Sequence, residues 1–450
     1  MKKVYFLLLS TALFAAFSCA REEHLVVNNA TNAEQDLIVD GKVSLSRAMS
    51  NADFVFKNID ATTAKNRKVK SVDVLTRSNT SSKIASTRSS SLSNENQPLA
   101  YVVNYENNEG FAILAADAKL PPVISIGDEG NFNTESFVNF IQNQGSTRSE
   151  NNLDPAQKVQ YAVINNSLAL PQANISGPNI QGVDTTVIFK CLPLVKTKWG
   201  QNSPYNYHIP NVVQGNVLIK PDAGCIPVAG AQTLASLCYH HNWRPTTQLS
   251  EEHSVNWYAI NKMIFENIFK FEPGDSSYNA LTVASLIQAI NEDTGLQPRE
   301  ANLSLLASTY QKLGILSPIC GNENSATPVS RNHLFNMIIS TNYPVTARAN
   351  DSESTEAWAF ILDGWLRLEY SVLRFVAQDL GVITDNVQEQ FDLVHVNFGQ
   401  DGLYDGYYLP DAFDLTQDKY REYAEDNDTG EDTICVYNLN VEYLIFDSLQ

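Results

Sequence analysis

A chain of 450 residues with 43% hydrophobic and 10% aromatic content is long enough for two or three domains and has the composition of a folded protein. Its 31 Lys and Arg against 50 Asp and Glu leave a formal net charge of −19. Such a surface repels nucleic acid and anionic lipid headgroups, so no nucleic-acid partner is expected.

The N-terminus reads as an export signal. Lys2 and Lys3 form a basic region, Val4 to Phe17 an apolar one, and Ser18-Cys19 closes it. The apolar run is shorter than the roughly 20 residues that a membrane-spanning helix needs. Arg21, Glu22 and Glu23 follow almost at once. Cys19 resembles the acceptor cysteine of a bacterial lipoprotein signal, which implies lipidation there and contact with a membrane only through that anchor. Phe17 stands where a smaller residue is usual, so cleavage without lipidation stays open. The expected location is the bacterial outer membrane or cell surface, otherwise secreted or periplasmic.

Beyond the signal, Leu45, Ala48 and Phe54 or Val55 suit one apolar face of a helix over Val43 to Phe56. Asp73 to Gln97, rich in Ser, Thr, Asn and Lys, reads as a linker or long loop. Two apolar runs, from Ala100 and from Gly110, flank Glu106-Asn-Asn-Glu and predict a hairpin. A further short strand is expected from Val123, after Pro121 and Pro122. Polar residues from Gln144 to Asp154 and the weakly patterned Pro171 to Asp184 then lead to a second domain, with a processing site expected between about 150 and 195.

The helix followed by the hairpin of "YVVNYENNEGFAILAADAKLPPVISIGDEGNF" resembles the propeptides and related inhibitor domains of streptopain-type peptidases. An unrelated small α+β domain is the competing reading.

Setting Cys19 aside leaves Cys191, Cys225, Cys238, Cys320 and Cys435, an odd number without CxxC spacing. That argues against a zinc site and a dense disulfide framework and predicts a free thiol. Cys225 follows Gly224, which permits a sharp turn, and precedes Pro227, which a helix tolerates only in its first turn. The helix is therefore expected to begin at Cys225, with the thiol at its N-terminus. Partial positive charge there lowers a thiol from about 8.5 by a unit or more. A small buried cysteine on an apolar helix is the competing reading.

"LPLVKTKWGQNSPYN", from Leu192, and "AGCIPVAGAQTLASLCYHHNW", around Cys225, resemble the streptopain family of papain-like cysteine peptidases. The resemblance implies Cys225 as nucleophile and Gln201 as the oxyanion-hole donor. "AWAFILDGW" and "VHVNFGQDGLYDGYYL" resemble two central strand motifs of that family. It implies Asn397 as the residue that orients the catalytic histidine. Here Trp358 stands in place of that histidine and Phe398 in place of a shielding tryptophan. An indole cannot stabilise a thiolate or protonate a leaving amine at neutral pH. His395, on the same strand face as Asn397 and about 6 to 7 Å from it, is the nearest substitute base. His240 and His241 read as helix-end residues, His253 and His333 as structural or surface groups. The loop Asp401 to Gly406 lacks the spacing of a calcium loop and reads as a solvated turn.

The expected fold is α+β: a papain-like domain in which a helix carrying Cys225 packs on an antiparallel sheet, preceded by a small α+β propeptide domain. The expected divisions are 1–19 (signal), 20–185 (propeptide or inhibitor-like) and 186–450 (peptidase-like). No cofactor or metal is expected. The expected function is that of an exported cysteine-peptidase family protein, made as a zymogen and impaired by Trp358, with a peptide or protein substrate and its own propeptide as partners. The alternative is an inactive surface lipoprotein that binds peptides or a partner protease. A polysaccharide-binding lipoprotein is the remaining rival.

Overall fold

The computed structural model describes residues 42–60, 67–80, 98–118, 120–142, 153–169, 179–181, 185–296, 300–322, 325, 328–351, 357–378, 381–413 and 439–450. The signal with Cys19, residues 81–97 of the polar stretch, the acidic run Tyr420 to Asp432 and Cys435 lie outside these residues. Among those described, no helix is long and apolar enough to cross a membrane.

Helix α1, Leu45–Ile59, starts where the Ser44 hydroxyl accepts the Arg47 amide at 3.4 Å. It buries Ala48, Ala52, Val55 and Phe56, one stripe at helical spacing. Strand β1, Val69–Thr76, pairs antiparallel with β2, Pro98–Tyr105. This corrects the linker expected from Asp73: the backbone ladder to β2 holds a strand whose side chains are mostly exposed and whose buried residue is Leu75. The hairpin is as expected, β2 pairing with β3, Phe111–Ala115, across a turn in which Asn107 and Asn108 both have φ of 57°. Strand β4, Val123–Gly127, completes this group.

Two helices follow that the sequence patterns did not reveal. Helix α2, Thr134–Gln142, and helix α3, Pro155–Ala169, bring Phe132, Phe137 and Tyr161 into one aromatic cluster with centroids 5.3 to 5.4 Å apart. The start of α3 is set by Asp154, whose carboxylate accepts the Gln157 amide at 2.8 Å, and by Pro155 in the first position. It is buried on nearly every side and so carries no amphipathic stripe.

After strand β5, Thr186–Cys191, comes the small hairpin β6, Val212–Gln214, with β7, Val217–Ile219. Helix α4, Cys225–His241, packs against α5, Trp257–Phe265, α6, Tyr278–Thr294, and α7, Leu303–Lys312. Gly230 lets α7 approach closely, since a Cβ there would lie 2.8 Å from Leu306 Cδ1. Strand β8, Ile319–Gly321, precedes the long strands β9, Val345–Asp351, β10, Ala357–Gln378, and β11, Gly381–Asn397. Strands β12, Gly406–Tyr408, and β13, Leu439–Ile445, complete a mixed helix and antiparallel-sheet fold of the expected α+β class.

The sheet is continuous. Its described order is β1-β2-β3-β4-β12-β11-β10-β9-β13-β8, so β4 of the N-terminal group is hydrogen-bonded directly to β12. Strand β5 pairs with β10.

Candidate active site

Gly224 takes φ 91° and ψ 143°, a conformation for which side chains are unsuited, and turns the chain into α4 at Cys225. Pro227 then sits in the first turn, where it forfeits no helical hydrogen bond. The Cys225 sulfur is buried and lies within hydrogen-bonding reach of the backbone amides of Ala359, Ile226 and Cys225 itself. Residue 359 adjoins Trp358, so the helix start and the β10 motif meet here.

The thiol is not, however, the lowered one that a helix N-terminus alone predicts. Burial pushes it up, and the amide hydrogen bonds and the Arg348 guanidinium offset this only in part. The described Cys191, Cys225, Cys238 and Cys320 are all free thiols.

Gln201 is tied by its backbone to the residues before the helix, accepting from the Ala223 amide at 2.8 Å. Its side chain is buried, and its Nε2 has no hydrogen-bond partner among the described residues. A buried donor left open is costly unless something binds it.

Trp358 is buried, and its Nε1 donates to the Phe398 carbonyl at 2.9 Å. The indole is thus fixed by strand β11 and the loop beyond it. Asn397 is also fully engaged. Its Nδ2 donates to the Thr197 carbonyl at 3.0 Å, and its Oδ1 accepts from Gln232 Nε2 and the Gly399 amide, both at 3.0 Å. Gln232, which sequence reasoning passed over, is the hub of this arrangement. Its Oε1 accepts from Thr197 Oγ1 at 3.0 Å and from the Trp199 amide at 3.1 Å. Asn397 therefore orients the segment before Gln201 rather than an imidazole. Phe398 is buried in an aromatic group with Phe360 and Tyr408.

His395 is held between two carboxylates. Its Nδ1 meets Asp363 Oδ1 at 2.6 Å and its Nε2 meets Asp128 Oδ2 at 3.0 Å, so both ring nitrogens are occupied. A register shift in β10 between Leu362 and Gly364 turns Asp363 toward it. Burial pulls the imidazole down, but the Asp363 and Asp128 carboxylates outweigh burial and hold it up at about 10. His240 bonds the Leu194 carbonyl at 2.8 Å and His241 that of Asn342 at 3.1 Å. His333 closes a capping box, and His253 lies 3.3 Å from Glu292 and against the ring of His208.

The loop Asp401 to Gly406 is not the solvated turn expected. Asp405 is buried, accepts the Phe398 amide at 2.7 Å and is pushed up by burial to about 7. Apolar Phe398 and the strand it ends draw the loop inward. Among the described residues no cluster of His, Cys, Asp or Glu is arranged to hold a metal.

Residues 199–408 match the Peptidase C10 family, and residues 41–144 match the Spi protease inhibitor family. No curated protein matches the chain. Among solved structures, a mutant fragment of Prevotella intermedia prointerpain A is 16% identical with a TM-score of 0.45, over 78% of this chain and 96% of that one. Active wild-type interpain A cysteine protease from Prevotella intermedia is 17% identical with a TM-score of 0.35, over 58% of this chain and 97% of that one. The N-terminal segment thus belongs to the Spi protease inhibitor family and the following one to the Peptidase C10, streptopain-type family of cysteine peptidases, joined in the order of a zymogen.

Proposed function

We propose that this protein is an exported cysteine-peptidase family member whose cleft engages polypeptide through Cys225 and Gln201, with hydrolysis impaired by Trp358. The observation that carries this reading is the buried indole at residue 358, hydrogen-bonded to Phe398, next in the chain to Ala359, whose amide together with those of Ile226 and Cys225 and the Arg348 guanidinium acts on the thiol. Attack on an amide needs a thiolate and then an acid for the departing amine. Neither indole nor backbone N–H supplies a proton at neutral pH. Carbonyl recognition is a separate matter. The open Gln201 side-chain amide and the backbone amides at the start of α4 remain suited to hold an acyl oxygen.

The test is turnover of casein by the wild type, Cys225→Ala and Trp358→His. A positioned acid-base is worth about 100-fold or more, so Trp358→His is expected to exceed the wild type by at least that factor. Wild-type cleavage that Cys225→Ala abolishes and Trp358→His does not increase would refute impairment. A second reading, an inactive surface protein that holds a peptide or partner protease, draws on the same indole and the open Gln201 amide. It predicts unchanged peptide affinity in Cys225→Ala and no turnover in Trp358→His.

Export with lipidation at Cys19 belongs to this proposal and rests on the sequence before residue 24. Metabolic labelling with palmitate, lost in Cys19→Ala, is the expected outcome. Equal labelling of the two forms would exclude the anchor.

A further inference from the structure

The segment in the propeptide position is built into the peptidase-family half more deeply than a removable cover requires. Strand β4 pairs with β12 through Ser125 to Tyr408, Ile126 to Tyr407 and Gly127 to Gly406, and all six residues are buried. Just past β4, the Asp128 amide donates to the Asp405 carbonyl at 2.9 Å. The Asp128 carboxylate then meets His395, which is itself buried and bound on its other side to Asp363. Glu129 pairs with Lys198, three residues before Gln201. From α3, Gln160 donates to the Tyr408 hydroxyl at 2.9 Å, and Asp154 accepts from the Tyr404 hydroxyl at 2.7 Å.

Two consequences attend the loss of this segment. Strand β12 would present an open edge carrying Tyr407 and Tyr408, a template for unwanted pairing. His395 would keep its burial but lose one of the two carboxylates that compensate its charge, and breaking a buried ion group by removing one member is strongly destabilising. A segment meant to leave would be expected to end on a surface that tolerates water. This one ends on a ladder and a buried cation.

We propose that the N-terminal segment is a permanent part of the folded protein, locked to the peptidase-family half by Asp128 closing the Asp363–His395 pair. The proposal rests on the family assignment of the two segments and not on whether Cys225 turns over, so its failure is separable from that of the impaired-cleft reading.

The experiment introduces a site-specific protease sequence between Ala169 and Asn179 of the full chain, cuts it after folding, and follows the fragments by size exclusion at micromolar concentration. The wild-type fragments are expected to elute together. Asp128→Asn in the same cut protein is expected to weaken their association at least tenfold. Glu129→Gln, which removes a more exposed pair, is expected to weaken it less than threefold. The uncut Asp128→Asn chain should melt cooperatively, which separates a weakened interface from a failure to fold. Separation of the wild-type fragments would overturn permanence and identify a releasable propeptide. Fragments of Asp128→Asn that stay as tightly bound as wild type would overturn the lock.

Discussion

The state of Cys225 is a contest between a helix N-terminus and burial. Backbone amides at the start of α4 and the Arg348 guanidinium favour thiolate, while removal from water disfavours it, and burial prevails. Alkylation by iodoacetamide should therefore be slow at neutral pH and rise only at pH values above those of an ordinary thiol. Competition mass spectrometry of Cys225 against a small-molecule thiol across pH 6 to 10 checks this. Full reactivity at neutral pH would show that the amides and cation win. The placing of Cys225 at a helix start was legible because Gly224 and Pro227 each constrain the backbone locally. Its burial, which the sequence offers only as a competing reading, depends on β10 arriving opposite the helix from a distant part of the chain.

At the level of elements, patterns with a local cause were readable and those with a tertiary cause were not. Helix α1 and the β2–β3 hairpin declare themselves through one apolar stripe and through asparagines suited to positive φ. Helix α3 is buried nearly all round, so its sequence mixes apolar and amide residues without a stripe. Its one local sign was Asp154 before Pro155. The part of strand β1 from Asp73 onward reads as linker because an edge strand of exposed side chains owes its existence to the partner's backbone. The motif around Asn397 was legible as a strand, yet its partner Gln232, 165 residues earlier, was not, and that partner decides what Asn397 orients.

At the scale of the whole molecule, the continuous sheet brings two ionisable groups into the interior where strands β4, β11 and β12 meet. The bond from His395 to Asp128 spans 267 residues, a separation no local pattern encodes. Both His395 and the nearby Asp405 bind their protons more tightly folded than unfolded. The folded His395 titrates at about 10 against an ordinary 6.5, so the stability it contributes is fully present below 6.5 and is lost as pH rises through 10. Asp405 titrates at about 7 against an ordinary 3.8, so its contribution falls between those values, in the direction opposite to that of a salt-bridged carboxylate. Asp405→Asn keeps a carbonyl oxygen for the Phe398 amide and removes the buried charge. Urea unfolding of the two forms from pH 4 to 9 should find the variant more stable at pH 8 by on the order of a few kcal/mol, with a flatter profile between pH 4 and 7. A variant less stable than wild type at pH 8 would mean that the Asp405 carboxylate is needed as a counter-charge to His395 and Lys198, and that its attraction to them exceeds the cost of burying it.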